Sequence, residues 1–380
     1  MQGFKNSRVY VEGRGIVKTS LGIENGKFVS FREDERFPQL DDKYTIIPGL
    51  IDEHTHGGAG FDFMDAGEEG IRTIGENFLQ DGVVAYLATT MTMEKERIEK
   101  ALKRIGAYTC SPFEAQLLGI HLEGPFISPS FCGAQNPENI LKPETALMER
   151  WIRLSSEKIR LVTFAPEEAE KDFYELLEAH RIVKNAGHTA ASAIEAEKAI
   201  LRGLNGTTHT YNAMKGIHHR DIGTTGTALL NDSLYCEIIA DRIHVSDQAI
   251  ALLLKCKPKE KVILITDSME AKYLSAGKYA LGGQEVFVDG TSARLKDGTL
   301  AGSILRLNVA LKNIRDISHL PLTDVVDMAS INPARNLGIQ DRKGSISLGK
   351  DADFVIIDED FDVYATYIAG KEVYRKEITK

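Results

Sequence analysis

Residues 48–65, PGLIDEHTHGGAGFDFMD, decide the reading of this chain. An apolar run ends in His54 and His56, one residue apart, and a glycine cluster follows. Residues two apart on a strand project to the same side, so both imidazoles face one point. A stable core gains nothing from packing imidazoles there, whereas a single cation can take both.

Working outward, seven more short apolar runs follow: VVAYLATT from Val83, AQLLGIHLEG from Ala115, IRLVTFAPE from Ile159, HRIVKNAGHT from His180, NGTTHTYNAM from Asn205, LYCEIIAD from Leu234 and KVILITDSM from Lys261. Most are rich in β-branched or aromatic residues, as strands buried on both faces are. The first run itself reads as YTIIPGLID from Tyr44. Amphipathic helical stretches separate most of the runs. One opens on Ser192 with Glu195 three residues on, a capping-box spacing; GTTGTALLND after the sixth run carries the weakest helical pattern. Eight strands alternating with helices predict an α/β fold, a (β/α)8 TIM-type barrel. An open doubly wound sheet is the runner-up, and no glycine-rich phosphate turn follows the first run to favour it.

The chain ends read differently. Turns at Gly13 and Asn25-Gly26, and short strands beyond about residue 340, predict a small β-sandwich domain built from both ends. The expected division is 1–48 with 335–380 for that domain and 49–334 for the catalytic barrel. Residues 271–302 read as a β-hairpin insertion with turns at VDG and KDG.

Barrel chemistry sits at the C-terminal ends of the strands. The runs end in His54 and His56, Glu123, His188, His209 and Asp267. Each histidine alone reads as a hydrogen-bonded core residue; all six together at strand ends read as a metal centre. Imidazole and carboxylate suit zinc first, with iron, manganese or nickel as alternatives. One or two ions fit, Glu123 bridging a pair. His180 and His319 read as solvated, His121 as core or as a support behind the site, and His244 as a substrate contact or a loop residue.

The chain of 380 residues carries a net charge of -9, which argues against nucleic acid and membrane surfaces as partners. Its four cysteines form no CxxC pair and read as reduced thiols. The absence of an apolar signal core or a spanning run points to a cytoplasmic location.

PGLIDEHTHG, HLEGPF, AGHT, THTYNAM, IIADRIHV, TDSM, GTLAGS and the tail GSISLGKDADFVIID together resemble the amidohydrolase superfamily, and within it the deacetylases of N-acetyl amino-sugar 6-phosphates. The resemblance implies a hydrolase of a linear amide that releases acetate. It implies that Glu123, His188 and His209 hold the better-defined ion and that the retained HxH pair permits a second. It places a phosphorylated N-acetyl amino sugar against Ala134, Gln135, Asn212, Ala213, Arg220, Asp241, His244, Leu300, Ala301 and Gly302, with Arg220 and His244 on the phosphate. It also implies a homodimer whose partner subunit completes the phosphate site. The family usually carries histidine at the position of Gln135.

Read chemically, Asp267 is the base that takes a proton from metal-bound water and returns it to the departing amine. A gluco substrate is favoured. The galacto epimer, another amidohydrolase reaction and a non-catalytic sugar-phosphate sensor are the alternatives.

Overall fold

The structure is a computed structural model that describes residues 1–377. Eight parallel strands form its central sheet: β1 Leu50–Thr55, β2 Val83–Thr89, β3 Gln116–Glu123, β4 Ile159–Phe164, β5 Val183–Ala186, β6 Gly206–Thr207, β7 Tyr235–Ile239 and β8 Val262–Ile265. Each pairs with its sequence neighbour. β1 and β8 then meet at their C-terminal ends, where the Asp267 amide donates to the His54 carbonyl (2.9 Å) and the His56 amide to the Ser268 carbonyl (2.8 Å). Beside this seam Asp52 accepts from the Thr266 hydroxyl at 2.6 Å. The sheet closes into the expected barrel.

The strands are buried along nearly their whole length, which is why they read as continuous apolar runs rather than as alternating ones. Helices cover them from outside. Ala193–Leu201 begins with the full capping box, the Ser192 hydroxyl accepting from the Glu195 amide and the Glu195 carboxylate from the Ser192 amide. The weakly patterned stretch is a helix after all, Gly223–Leu230, almost entirely buried, so no polar face announces it.

A second sheet of seven strands runs in the order Lys371–Arg375, Val363–Ile368, Phe354–Ile357, Thr45–Pro48, Gln2–Val11, Gly15–Glu24, Lys27–Ser30. Both chain ends thus build it. Asn25 and Gly26 take positive φ (50° and 74°) in the turn before Lys27–Ser30, as a tight hairpin demands. Its core holds Phe4, Phe28, Phe354 and Tyr367; the Phe354 and Tyr367 rings stack at 4.4 Å, and Phe4 and Phe28 approach Phe354 at 6.0 and 6.1 Å. Full burial of such a ring contributes about 1.5–3 kcal/mol.

Two local expectations change. The run from Tyr44 is not one strand: Thr45–Pro48 pairs with Phe354–Ile357 in the end sheet, and Leu50 begins the barrel. Gly49 between them has no room for a side chain, since a Cβ there would lie 2.4 Å from Val84. The insertion has three strands, Gly277–Leu281, Gln284–Val288 and Ala293–Leu295. Its first turn is Gly282-Gly283, both at positive φ, and KDG follows the third strand.

Candidate metal centre

The strand ends deliver two compact triads, His54 with His56 and Asp267, and Glu123 with His188 and His209. All six side chains are buried. The chain leaves the sheet abruptly at three of them: His188, His209 and Asp267 have φ of 48°, 32° and 49°. Such left-handed residues are sparsely populated and cluster where a site is being shaped. Two motif glycines have steric reasons. A Cβ on Gly124, after Glu123, would sit 2.1 Å from the Thr92 hydroxyl; one on Gly187, before His188, would sit 2.6 Å from Thr163 Cγ2 and 2.8 Å from Thr208 Cβ.

Glu123 Oε1, His188 Nε2 and His209 Nε2 form a triangle with sides of 3.0, 3.1 and 3.2 Å. In the other triad His56 Nε2 and His54 Nε2 lie 3.1 and 3.5 Å from Asp267 Oδ1. Glu123 stands between the two, its Oε2 3.2 Å from His56 Nε2 and its Oε1 3.6 Å from His54 Nε2. A tetrahedral cation with ligand bonds of about 2.0–2.1 Å separates its donors by about 3.3 Å. The spacing of both triads therefore fits one cation each. His54 Nε2 is buried and finds no hydrogen-bond partner, which costs free energy unless something else meets its lone pair.

The electrostatics point the same way. Burial opposes charging His56, yet Asp267 and Glu123 push its imidazole up to about 9. Burial likewise opposes charging His54, and the same two carboxylates raise it well above the usual histidine range. Burial alone would raise Glu123 and Asp267; facing imidazoles hold both below the usual carboxylate range. The buried carboxylates thus favour positive charge in the cavity, which a bound cation would supply.

Around the triads is a cavity of about 220 Å³ lined by Ala134, Gln135, Asn212, Ala213, His244, Leu300 and Gly302. Met91, Leu281 and Thr299 join them, residues whose apolar or plain hydroxyl character gave no signal in the sequence. Asp241 is not on that lining. Its Oδ2 accepts from His244 Nδ1 at 2.7 Å and its Oδ1 from the Ile243 and His244 amides at 2.8 Å each, so it fixes the ring. Ala301 is fully buried and only its neighbours face the cavity. Arg220 is exposed and lines a separate groove with Ile194 and His219.

Gln135 is committed on both sides. Its Oε1 accepts from the Thr92 amide at 2.7 Å, and its Nε2 donates to Glu123 Oε2 at 2.9 Å. His121 lies behind the site, its ring 4.5 Å from that of His54 and its Nε2 2.7 Å from the Thr163 hydroxyl. One buried group passed unnoticed in the sequence, Glu237 in the middle of β7, which lies 3.2 Å from His54 Nδ1.

Residues 45–373 match the amidohydrolase family. Over 377 residues, covering 96% of this chain and 95% of the relative, the sequence is 40% identical to N-acetylglucosamine-6-phosphate deacetylase of Bacillus subtilis. It is 36% identical to N-acetylgalactosamine-6-phosphate deacetylase of Escherichia coli O157:H7, covering 87% of this chain and 88% of that one. The crystal structure of N-acetylglucosamine-6-phosphate deacetylase from Thermotoga maritima superposes with a TM-score of 0.90 at 34% identity, over 99% of this chain and all of that one.

Proposed function

The chain belongs to the amidohydrolase family, and from that premise we propose that it hydrolyses the acetamide of N-acetyl-D-glucosamine 6-phosphate to D-glucosamine 6-phosphate and acetate. The observation that carries this reading is the pair of buried triads at one barrel mouth, in a chain so similar to deacetylases of that name. His54, His56 and Asp267 would hold one divalent ion, and Glu123, His188 and His209 the other. We assign zinc first, with iron, manganese and nickel sharing the donor set.

Such an ion, when bound, lowers the pKa of its water from 15.7 to about 7 and stabilises the oxyanion that forms at the amide carbon. The protein does the rest. Asp267, held ionised by His54 and His56, takes the proton of the attacking water and delivers it to the amine nitrogen, which must be protonated to leave. Gln135 holds Glu123 in place through one of its two Nε2 hydrogens, and the second N–H remains for an acceptor in the cavity. Asn212, Ala213 and the backbone of Leu300–Gly302 shape the wall for the sugar. Asp241 accepts the hydrogen bond of His244 Nδ1 and so orients the ring, leaving Nε2 to face the phosphate.

Arg220 lies outside the cavity lining of its own chain, and exposed Ile194 in the same groove (64%) supports a second copy that brings its Arg220 to the phosphate. The two sheets support a division near 1–48 with 335–380 and 49–334; the 334/335 boundary falls inside the helix Ile331–Asn336, which packs on the barrel strands, and 378–380 lie outside the described residues. Four unpaired cysteines, with no helix long and apolar enough to cross a membrane among the described residues, support a reducing, cytoplasmic setting.

The test is acetate release from N-acetylglucosamine, its 6-phosphate and the galacto 6-phosphate, before and after stripping and restoring metal. The gluco 6-phosphate should have the highest kcat/KM, and chelation should abolish it reversibly. The similarity to the E. coli enzyme makes the galacto epimer the second reading; a higher kcat/KM on it would install that reading instead. Equal rates on phosphorylated and free sugar would overturn the phosphate assignment.

A further inference from the structure

Glu237 sits in the middle of β7 and is fully buried. Charged residues are almost never so placed unless they are paired. Among the described residues it has no lysine or arginine partner within salt-bridge range; its only such partner there is an imidazole. Oε2 lies 3.2 Å from His54 Nδ1 and accepts from the His209 backbone amide at 3.3 Å. Oε1 accepts from Asn185 Nδ2, on β5, at 2.9 Å. One carboxylate therefore touches a side chain of the first triad and the backbone that carries a member of the second.

The imidazole chemistry gives that contact a direction. A neutral histidine has one N–H and one lone pair. Donation from Nδ1 to Glu237 puts the lone pair on Nε2, the atom that faces Glu123 and Asp267 and lacks any hydrogen-bond partner. The opposite tautomer would set a lone pair against the carboxylate and an N–H against the cation. Glu53, buried on β1, is held apart from this role: its Oε1 accepts from Asn336 Nδ2 at 2.9 Å.

We propose that Glu237 is a positioning residue that fixes the His54 tautomer and ring plane, and that it thereby builds the affinity of the His54–His56–Asp267 half-site for its ion. This inference rests on the metal reading above. His56 has no equivalent partner, since its Nδ1 is buried without one; His188 has a neutral one, the Phe131 carbonyl at 3.0 Å from Nδ1. The charged support is concentrated on one ligand of one half-site. Outer carboxylates of this kind typically change metal affinity 10- to 100-fold.

The experiment measures stepwise zinc and cobalt affinity by chelator competition on the full chain, for the wild type, Glu237→Gln and Glu237→Leu. Glutamine keeps the shape and an acceptor, and Asn185, whose Oδ1 is unpartnered, can turn to receive its amide. The wild type should bind two ions. Glu237→Gln should weaken one step about tenfold, and Glu237→Leu about 100-fold, with the other step within threefold of wild type. In the cobalt-loaded wild type the paramagnetically shifted, slowly exchanging Nδ1 proton of His54 should be visible, and it should vanish or exchange fast in Glu237→Leu. Two unchanged steps in Glu237→Gln, or a His54 Nδ1 proton unmoved in Glu237→Leu, would overturn the proposal. So would equal weakening of both steps in Glu237→Gln, whose fold is checked by its melting curve. A wild type that binds no ion would defeat the metal reading itself, a result distinct from any of these.

Discussion

The barrel mouth and the end sheet are built from opposite materials. In the end sheet Phe4, Phe28, Phe354 and Tyr367 fill the interior with ring on ring. At the mouth, four imidazoles and two carboxylates crowd into buried space, with His54 Nε2, His56 Nδ1 and His209 Nδ1 lacking hydrogen-bond partners. Each orphaned group there costs on the order of 1–3 kcal/mol. The comparison separates two jobs: the sheet supplies stability without chemistry, and the mouth gives up stability for chemistry. A substitution at either place should therefore move one observable and spare the other.

Asp267→Asn should have the largest effect. Losing the proposed proton carrier should lower kcat about 100- to 10,000-fold, while the melting temperature falls only modestly, because the amide keeps the carboxylate's shape and loses only its attraction to His54 and His56. Acetate release and calorimetry on the same sample check this; turnover within a few-fold of wild type would take Asp267 out of the mechanism. The mirror experiment is Phe354→Ala. It removes the ring that touches three others and should cost about 3–5 kcal/mol of unfolding free energy, with kcat per folded molecule unchanged. A parallel loss of kcat would show that the two regions are not independent.

The smallest effect probes their junction. Tyr10, on a strand of the end sheet, donates to Asp327 on the barrel side at 2.6 Å. Tyr10→Phe should cost about 1 kcal/mol. Burial raises the Asp327 carboxyl to about 6, more than the Tyr10 hydrogen bond lowers it. A raised carboxyl favours the folded state most below its unfolded value of about 3.9, and that benefit is lost as pH rises through about 6. Without Tyr10 the ionised carboxyl lacks its donor, so the variant's deficit should widen from pH 5 to pH 7.5. A melting difference that is flat across that range would show that the hydroxyl does not serve the ionised carboxylate.

How much of this was legible in the sequence follows from how far apart the cooperating residues lie. The eight strands could be read because their signal is local, a buried run bounded by turns. The six triad residues could be read because strand ends share one rim. Ser192 and Glu195 announced a helix start three residues apart. Glu237 could not be read: in YCEII it is one acid within an apolar run, and its partner His54 lies 183 positions away. The split of the first run at Gly49 was equally hidden, since Thr45–Pro48 takes its place from pairing with Phe354–Ile357 near the other end of the chain. Gln135 was visible as a residue but not as a strut, because its hold on Glu123 depends on the Thr92 amide beneath it.

The seam of the barrel runs through the candidate metal centre: the Asp267 amide closes onto the His54 carbonyl, joining the first strand to the chain just beyond the last. A chain emerging from the ribosome therefore holds only disconnected parts of its chemistry until residue 267 is free to dock. No truncated or half-wound intermediate can turn over substrate, and the onset of activity during refolding is a direct clock for ring closure.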